Sequence, residues 1–428
     1  MLPNQSTKIR AGVIPLMAVS AGIIVANVYY NQPILKEIGL TMQASESEIG
    51  KISMIAQLGY GLGMFFLLPL GDKVNRKNLI ILLSSLLCLT LLLVSFSNTL
   101  LQISVLSFFV GLFSTPAQII LPMAATLGKE NRGATVGKVF SGILVGILGA
   151  RVMAGLLTEY FGWRSVFALS AFMVLIVSVL LKMYLPEAPA KFKGNYLNLL
   201  KSTLSLIKEY KVLRQAAILG AFTFGVFCSF WTTLTFHLSA PPLNFHAGTI
   251  GLFGLIAIGG ALVAPYFGKL ADKGSVYKSL LITVSMIIGS IILIKLFPFS
   301  IAVLIISVFF LDIGVQATQI TNFTRIYSLD EQAHSRLNTI YMTTYFIGAA
   351  VGTYGGLIAW KFGGWEGATW QMLAWSGIAL VIVLLSARMS VRNSARTSEE
   401  TLAGVSAGTS PETSGKTKAL IPAESPVL

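Results

Sequence analysis

The sequence has few charged residues, few histidines and almost no cysteine. Only 11% of its 428 residues are charged, whereas soluble domains average about 25%. So few charges could not cover the surface of a soluble protein of this size. This scarcity excludes an ordinary soluble enzyme, a nucleic-acid-binding protein and a disordered chain. The two cysteines lie in apolar runs and the three histidines have no paired spacing, so we expect no disulfide framework, no metal site and no cofactor.

Long apolar segments are what the sequence has in abundance, since 54% of its residues are hydrophobic. A helix needs about 20 predominantly apolar residues to cross a bilayer. Twelve such segments follow one another along the chain, near 11–35, 52–71, 78–97, 99–127, 134–158, 165–185, 215–239, 248–268, 279–297, 300–324, 337–359 and 367–387. The sequence therefore predicts an all-α membrane protein with twelve transmembrane helices.

The polar segments divide the chain into five regions. These are an N-terminus at 1–10, a six-helix bundle at 11–185, a basic connector at 186–214, a second six-helix bundle at 215–392 and a tail at 393–428. The connector holds six basic and two acidic residues, and the apolar spacing at 196–212 predicts a helix along the membrane surface. The tail is rich in Ser, Thr, Gly, Pro and Glu, which predicts disorder.

The two groups of six segments repeat each other at a constant offset of 201 residues. Six helices in each repeat give both halves the same orientation. Parallel repeats are typical of transporters that bind their substrate between the halves, near the middle of the bilayer. The matched positions include Phe108 and Phe309, Gln118 and Gln319, Glu130 and Glu331, and Gly155 and Gly356.

A loop motif occurs after the second segment of each half, as PLGDKVNRK at 69–77 and GKLADK at 268–273. Both copies resemble the GxLADrxGRk loop of the major facilitator superfamily, and the similarity extends over about residues 8–390. The sequence FGWR at 161–164 resembles the GWR of the drug:proton antiporter branch of bacterial efflux permeases. The resemblance implies two bundles that rock around a central cavity, a small-molecule substrate and no catalytic residues. It also implies a gating role for Asp72, Arg76, Asp272, Lys273 and Arg336.

Two positions depart from the antiporter pattern. Ser107 stands four residues before Gly111, where that branch has an arginine. The GxxxGPxxGG run of the fifth segment is present only as Gly142, Gly146 and Gly149, without a proline. These departures leave uptake of a substrate open as an alternative to export.

Only two ionisable residues lie deep inside the predicted segments. Asp312 is near the middle of its segment, where an ionised carboxylate is costly unless it is paired or protonated. That property suits a residue that binds and releases a proton. Arg151 stays charged, so it must face a cavity, a carboxylate, an anionic substrate or, by snorkelling, the membrane surface. We predict that Asp312 and Arg151 carry proton coupling, although depths that differ by up to about 10 Å strain a direct contact.

Polar and aromatic side chains in other segments are predicted to line a substrate cavity. Side chains with an apolar body and a polar tip suit an amphipathic ligand. For the tyrosine, anchoring at the membrane interface is the alternative. The predicted lining residues are Asn27, Tyr30, Gln118, Trp231, Gln316, Gln319 and Asn322.

The sequence as a whole predicts a secondary transporter that acts as a monomer in the bilayer of a bacterial inner membrane. Basic residues concentrate in the loops of one side, which predicts cytoplasmic termini rather than nucleic-acid binding. We expect proton-coupled export of a small amphipathic compound or metabolite. The alternative is an uptake carrier or uniporter for a nutrient, metabolite or iron-chelate. A membrane enzyme or receptor would need a catalytic cluster or a sensor domain, and the sequence contains neither.

Overall fold

The computed structural model describes residues 12–127, 132–190, 194–256, 276–330 and 333–407. These residues form helices joined by turns, and no strand occurs among them. The helices before the connector are α1 (Val13–Ala26), α2 (Leu35–Met42), α3 (Glu46–Lys73), α4 (Arg76–Ser95), α5 (Leu100–Phe113), α6 (Pro116–Leu127), α7 (Arg132–Phe161) and α8 (Trp163–Tyr184). The helices that follow are α9 (Tyr196–Glu209), α10 (Lys211–Ser239), α11 (Ala247–Ile256), α12 (Val276–Leu296), α13 (Ile301–Tyr327) and α14 (His334–Ala407).

Nine helical runs among the described residues are long and apolar enough to cross a membrane. One of them, Leu100–Leu127, combines α5 and α6, and another, His334–Met389, contains a break at Gly364 with φ 54° and ψ −142°. The all-helical architecture is confirmed. The number twelve stays a prediction, because part of the eighth predicted segment lies outside the described residues.

The first predicted segment, 11–35, is not one continuous helix. α1 ends at Ala26, and the backbone then turns until a 3-10 helix at Gln32–Ile34. Backbone hydrogen bonds between residues three positions apart stabilise these turns, for example from Tyr29 N to Ala26 O at 2.9 Å. Pro33 has no N–H to continue an α-helical ladder. The resulting turn segment, residues 27–34, is buried along its whole length and crosses the interior of the protein.

Within each half, glycines bring a pair of helices into close contact, and the two pairs correspond to each other in the repeat. In the first half, a Cβ added at Gly146 of α7 would lie 2.2 Å from the carbonyl oxygen of Gly22 in α1. In the second half, a Cβ added at Gly352 of α14 would lie 2.4 Å from the Cα of Gly225 in α10. Small residues allow such backbone approach where no hydrophobic driving force acts between membrane helices.

Short turns make successive helices antiparallel, so the loops alternate between two ends. We call the end with residues 74–75, 185–190, 194–211 and 328–330 the connector end, and the end with residues 43–45, 96–99, 240–246 and 297–300 the closed end. Hydrogen bonds join the two halves of the chain toward the closed end: Lys36 to the Ser239 carbonyl (2.9 Å), Thr235 to the Gln32 carbonyl (2.9 Å), Thr353 to Gln57 (2.9 Å) and Trp360 to Glu46 (2.7 Å).

A backbone contact between α7 and α11 tightens the closed end. A Cβ added at Gly155 would lie 2.4 Å from the Ala247 carbonyl oxygen and 3.0 Å from the Cα of Gly251. Only hydrogen fits at this position, because the obstructing atoms are backbone atoms that cannot rotate away.

We expect the Gly155→Leu variant to force the closed end apart. Overpacking costs about 1–3 kcal/mol, which would shift an equilibrium between closed and open forms roughly tenfold. Gly149 is on the same helix but a Cβ there meets nothing within 4 Å, so Gly149→Leu is the matched control. The measurement is the labelling rate of a cysteine at Ser239 by an impermeant maleimide, with Cys88 and Cys228 replaced. Equal labelling rates in the two leucine variants would contradict the prediction.

The disorder of the tail from residue 393 stays a prediction. Residues from Leu385 onward form a separate unit, and in it α14 continues to Ala407. Alanine, leucine and glutamate at 395–407 favour this helical continuation. Residues 408–428 of the predicted tail lie outside the described part of the chain.

Candidate functional site

Arg151 lies at the boundary between the two halves and is fully buried. Its Nε and Nη2 atoms donate to Gln32 Oε1 at 3.2 and 3.0 Å. Its guanidinium carbon lies 4.1 Å from the centre of the Trp231 ring, with Phe227 at 5.6 Å and Tyr29 at 5.4 Å. Stacking on aromatic faces stabilises a desolvated guanidinium. Arg151 is therefore held inside the protein, and its side chain does not extend to the surface.

Asp312 of α13 is also fully buried, and neither of its carboxylate oxygens has a hydrogen-bond partner among the described residues. The described side chains show no ion pair of 4.0 Å or less between Asp312 and Arg151, although each acts electrostatically on the other. Arg151 Nη1 has no partner either. A charged group buried without a partner is expensive. The two charges thus share one site without neutralising each other by contact.

Two predicted lining residues extend this site along α13. Asp312, Gln316 and Gln319 have a spacing of four and then three residues, which places them on one face of the helix. Asp312 is buried, whereas both glutamines are partly exposed. Because α13 runs toward the connector end, this face becomes more accessible in that direction. Gln319 also contacts the Met342 sulfur at 3.8 Å.

Gln118 of α6 is the residue of the first half that corresponds to Gln319 in the repeat. It is partly buried and lies beside the Tyr60 hydroxyl of α3. The Tyr60 ring packs edge-on against Phe346 of the second half, with 4.5 Å between ring centres. Gln118 is thus near the boundary between the halves, as a lining residue should be.

Three other predicted lining residues contact neighbouring helical segments. The Asn27 amide donates to the Ile23 carbonyl at 2.9 Å and accepts from Ser170 at 2.7 Å, so it stabilises the end of α1. Tyr30 is buried beside the same serine. The Asn322 amide donates to the Ala216 carbonyl at 3.4 Å and ties α13 to α10. Amide side chains that satisfy backbone groups in this way contribute to the scaffold.

Sequence reasoning missed one buried cation. Arg325 is only 7% exposed and donates to Gln215 at 3.3 Å and Asn322 at 3.4 Å. Its guanidinium lies 5.4 Å from the centre of the Tyr277 ring. The predicted segment 300–324 ends one residue earlier, whereas α13 continues to Tyr327. Extending the helical period by one turn would have placed Arg325 on the buried face.

The predicted gating loop forms a compact set of polar contacts at the connector end. Arg76 Nη2 lies 2.6 Å from Asp72 Oδ1, and Arg76 Nε donates to the Gly71 carbonyl at 3.1 Å. The Asn75 side chain accepts from the Lys77 backbone N–H at 3.0 Å and thereby caps α4. Asparagine is a favoured N-cap, which explains why it replaces the glycine of the motif.

The same loop also reaches the start of the connector. The Asn75 amide donates to Glu187, and Lys77 Nζ lies 3.4 Å from the same carboxylate. The hydrogen bond from Asn75, with a smaller effect of Lys77, lowers the pKa of Glu187. Asp272 and Lys273 lie outside the described residues. Arg336 is partly buried near the start of α14, and its gating role stays a prediction.

We expect Asp72 and Arg76 to show strong energetic coupling. Their side chains are only 23% and 11% exposed, so their contact is screened less than a surface pair. A double-mutant cycle with Asp72→Asn and Arg76→Gln, read from thermal unfolding in detergent, should give a coupling of about 1–2 kcal/mol. Lys295 and Glu366, at 3.1 Å, are the control pair; because the Glu366 side chain is 77% exposed, this pair should give less than about 0.5 kcal/mol. Equal coupling energies in the two pairs would contradict the prediction that the contact between Asp72 and Arg76 stabilises the gating loop.

Comparison with known proteins agrees with this architecture. Residues 17–353 match the Major Facilitator Superfamily. The chain is 40% identical to an uncharacterized transporter, YgaY, of Escherichia coli O157:H7 over 384 residues, which cover 90% of this chain and 96% of that protein. It is 27% identical to the probable transporter SCO4007 of Streptomyces coelicolor over 374 residues, covering 86% and 87%.

A solved structure shares the fold. The inward-facing, unoccupied structure of a bacterial homolog of the human lysosomal transporter Spinster covers 90% of this chain and 98% of its own, with a TM-score of 0.69 and 14% identity. Helical architecture, the family match and the relatives lead to the same assignment. The chain belongs to the Major Facilitator Superfamily and is a membrane transporter of that type.

Proposed function

We propose that this protein exports a small amphipathic compound in exchange for protons, by alternating access, through a site that contains Arg151 and Asp312. The observation that carries the proposal is the fully buried Asp312 carboxylate, which has no hydrogen-bond partner in the described part of the chain and lies in the same site as a buried arginine. The protein would act as a monomer in a bacterial inner membrane. Both termini and the connector end would face the cytoplasm.

Alternating access requires that the two halves of the chain move against each other around the site. Arg151 belongs to the first half, whereas Asp312 and the stacking ring of Trp231 belong to the second. Movement between bundles at 11–185 and 215–392 would therefore change the environment of both charges. The hydrogen bonds at the closed end fit a state that is open toward the connector end.

Proton exchange follows from the chemistry of an intramembrane carboxylate. An ionised, unpaired Asp312 is costly in a dry environment, and either a proton or a cationic group can remove that cost. If both compete for the same oxygens, binding of one releases the other. That competition is the simplest form of antiport.

Uptake is the second candidate, and one observation favours it. Ser107, at the position where the antiporter branch has an arginine, is buried in α5, so this site lacks one cation of that branch. A carrier without that cation could move substrate and proton in the same direction.

Everted membrane vesicles distinguish the two candidates. A panel of toxic compounds first identifies those to which overproduction of the protein gives tolerance. Vesicles acidified by respiration then report, through acridine orange fluorescence, whether such a compound releases protons from the lumen. Fluorescence recovery only in vesicles with the protein supports export. Accumulation only in right-side-out vesicles, together with proton entry, would establish uptake and overturn export.

A further inference from the structure

Three buried nitrogen donors at Arg151 have no hydrogen-bond partner within the ranges that the structure describes. They are Arg151 Nη1, Gln32 Nε2 and Trp231 Nε1, and none of these residues is more than 2% exposed. Arg151 Nε and one N–H of Nη2 donate to Gln32 Oε1, and the guanidinium lies on the Trp231 ring, so the three donors form one cluster. We call it the donor cluster.

The donor cluster is built to receive an acceptor. Buried donors without partners are rare and cost free energy in native proteins. An ionised carboxylate offers two oxygens with about four lone-pair positions and suits a guanidinium especially well. The donor cluster therefore favours a ligand that carries a carboxylate.

Asp312 places hydrogen-bond acceptors in the same site. We call the Asp312 carboxylate and the donor cluster the two poles of the site. Both of its oxygens are unpaired, and it forms no ion pair with Arg151 among the described contacts. A purely anionic ligand would bring its charge close to the Asp312 carboxylate, and a purely cationic ligand would bring its charge close to Arg151. A ligand with both charges satisfies both poles at once.

Aromatic rings lie beside the two poles. Trp231, Phe227 and Tyr29 surround the guanidinium, and the Phe224 and Tyr345 rings stack with 3.9 Å between centres. Phe227 stacks on Phe224 at 5.5 Å, so these rings form one continuous aromatic surface in α10 and α14. Such a surface suits an apolar or aromatic group on the ligand.

We infer that the substrate is a zwitterion of the amino-acid type, with its carboxylate on the donor cluster, its ammonium group on Asp312 and an apolar side group against the aromatic rings. This inference rests on the proposed function and specifies its substrate class. The ammonium group and a proton compete for the Asp312 oxygens, which is what exchange requires.

Three compounds of one size test the assignment of charges. L-phenylalanine carries both charges, 3-phenylpropionate lacks the ammonium group, and 2-phenylethylamine lacks the carboxylate. Purified protein in detergent is titrated with each compound up to about 10 mM, and binding is read as a rise in the unfolding temperature. L-phenylalanine should bind at least roughly tenfold more tightly than either fragment, since each fragment leaves one buried pole unpaired. Equal binding of a fragment, or no stabilisation by any of the three, overturns the inference.

Variants then assign each charge to its pole. In Asp312→Asn, the preference for L-phenylalanine over 3-phenylpropionate should disappear, and in Arg151→Gln the preference over 2-phenylethylamine should disappear. Glu366→Gln and Arg164→Gln remove one acidic and one basic charge at an exposed and a partly exposed position, and should keep both preferences. Preferences that persist in the site variants overturn the inference, and unfolding without ligand checks that each variant is folded.

Binding in detergent needs no gradient and has no direction. If the zwitterion preference is found but vesicles release no protons, the proposed exchange fails and the substrate class stands. If another class of compound is exchanged for protons and L-phenylalanine does not bind, the substrate class fails and the exchange stands.

Discussion

Replacing Arg151 with glutamine should abolish transport while the protein still folds and inserts. The guanidinium lies on the Trp231 ring, and it holds Gln32 through two hydrogen bonds. Charge-assisted hydrogen bonds contribute about 1.5–3 kcal/mol each, so losing the cation should weaken substrate binding by roughly 100-fold or more. The measurement is substrate exchange in proteoliposomes, with the amount of inserted protein determined in parallel.

Lysine at this position should not restore transport. An ammonium group cannot bind Gln32 with two N–H groups and lie flat on an indole ring at the same time. Recovery of more than a small part of the activity in Arg151→Lys would show that only the charge matters.

Arg164 provides the matched control for Arg151. It lies in the same half, over the Trp163 ring at 4.3 Å, and donates to the Ser97 carbonyl at 2.9 Å, but it is partly exposed at the start of α8. Arg164→Gln should therefore transport nearly as well as the unmodified protein. A loss as large as that of Arg151→Gln would mean that arginine–tryptophan stacking supports folding in general rather than the site.

Replacing Asp312 with asparagine should separate substrate exchange from proton movement. Asparagine has nearly the same shape, and its carbonyl oxygen can still accept a hydrogen bond, but it cannot bind and release a proton near neutral pH. Counterflow at saturating substrate should survive at reduced affinity. Substrate-induced proton release in everted vesicles should fall at least roughly tenfold, to the level of vesicles without the protein.

Removing the Asp312 charge should also stabilise the folded protein. The carboxylate is fully buried and has no partner among the residues with described positions, so neutralising it removes a desolvation cost of about 1–3 kcal/mol. The unfolding temperature of Asp312→Asn should therefore rise. Glu366→Gln, which changes an exposed carboxylate, should alter neither proton release nor stability. Normal proton release by Asp312→Asn would refute its role in coupling.

The sequence was sufficient to predict the all-helical architecture and to single out two charged residues that the structure buries. Apolar runs determine where helices form in a membrane protein, and the scarcity of charged residues made Asp312 and Arg151 conspicuous. Their different depths also agree with the absence of an ion pair between these two described residues.

The partners of these charges could not be predicted in the same way. Gln32 reaches Arg151 because the backbone leaves the α-helix after Ala26, and hydropathy does not reveal such a break inside a buried apolar run. Asn27 and Asn322 were assigned to the cavity by residue type. Their amides instead satisfy nearby backbone carbonyls, and that depends on local geometry that composition does not encode.

The turn segment has a consequence for the affinities on the two sides of the membrane. Its Gln32 carbonyl accepts from Thr235, its Gln32 amide oxygen holds Arg151, and Lys36 just beyond it donates to the Ser239 carbonyl. Opening the closed end would break the bonds to α10 and free the segment that orients Arg151. Thermodynamic linkage relates two quantities. If substrate binds one conformation more tightly by some factor, saturating substrate shifts the equilibrium between the two conformations by the same factor. Under the proposed exchange, this buried turn would set the difference between the substrate affinities of the loading and release conformations.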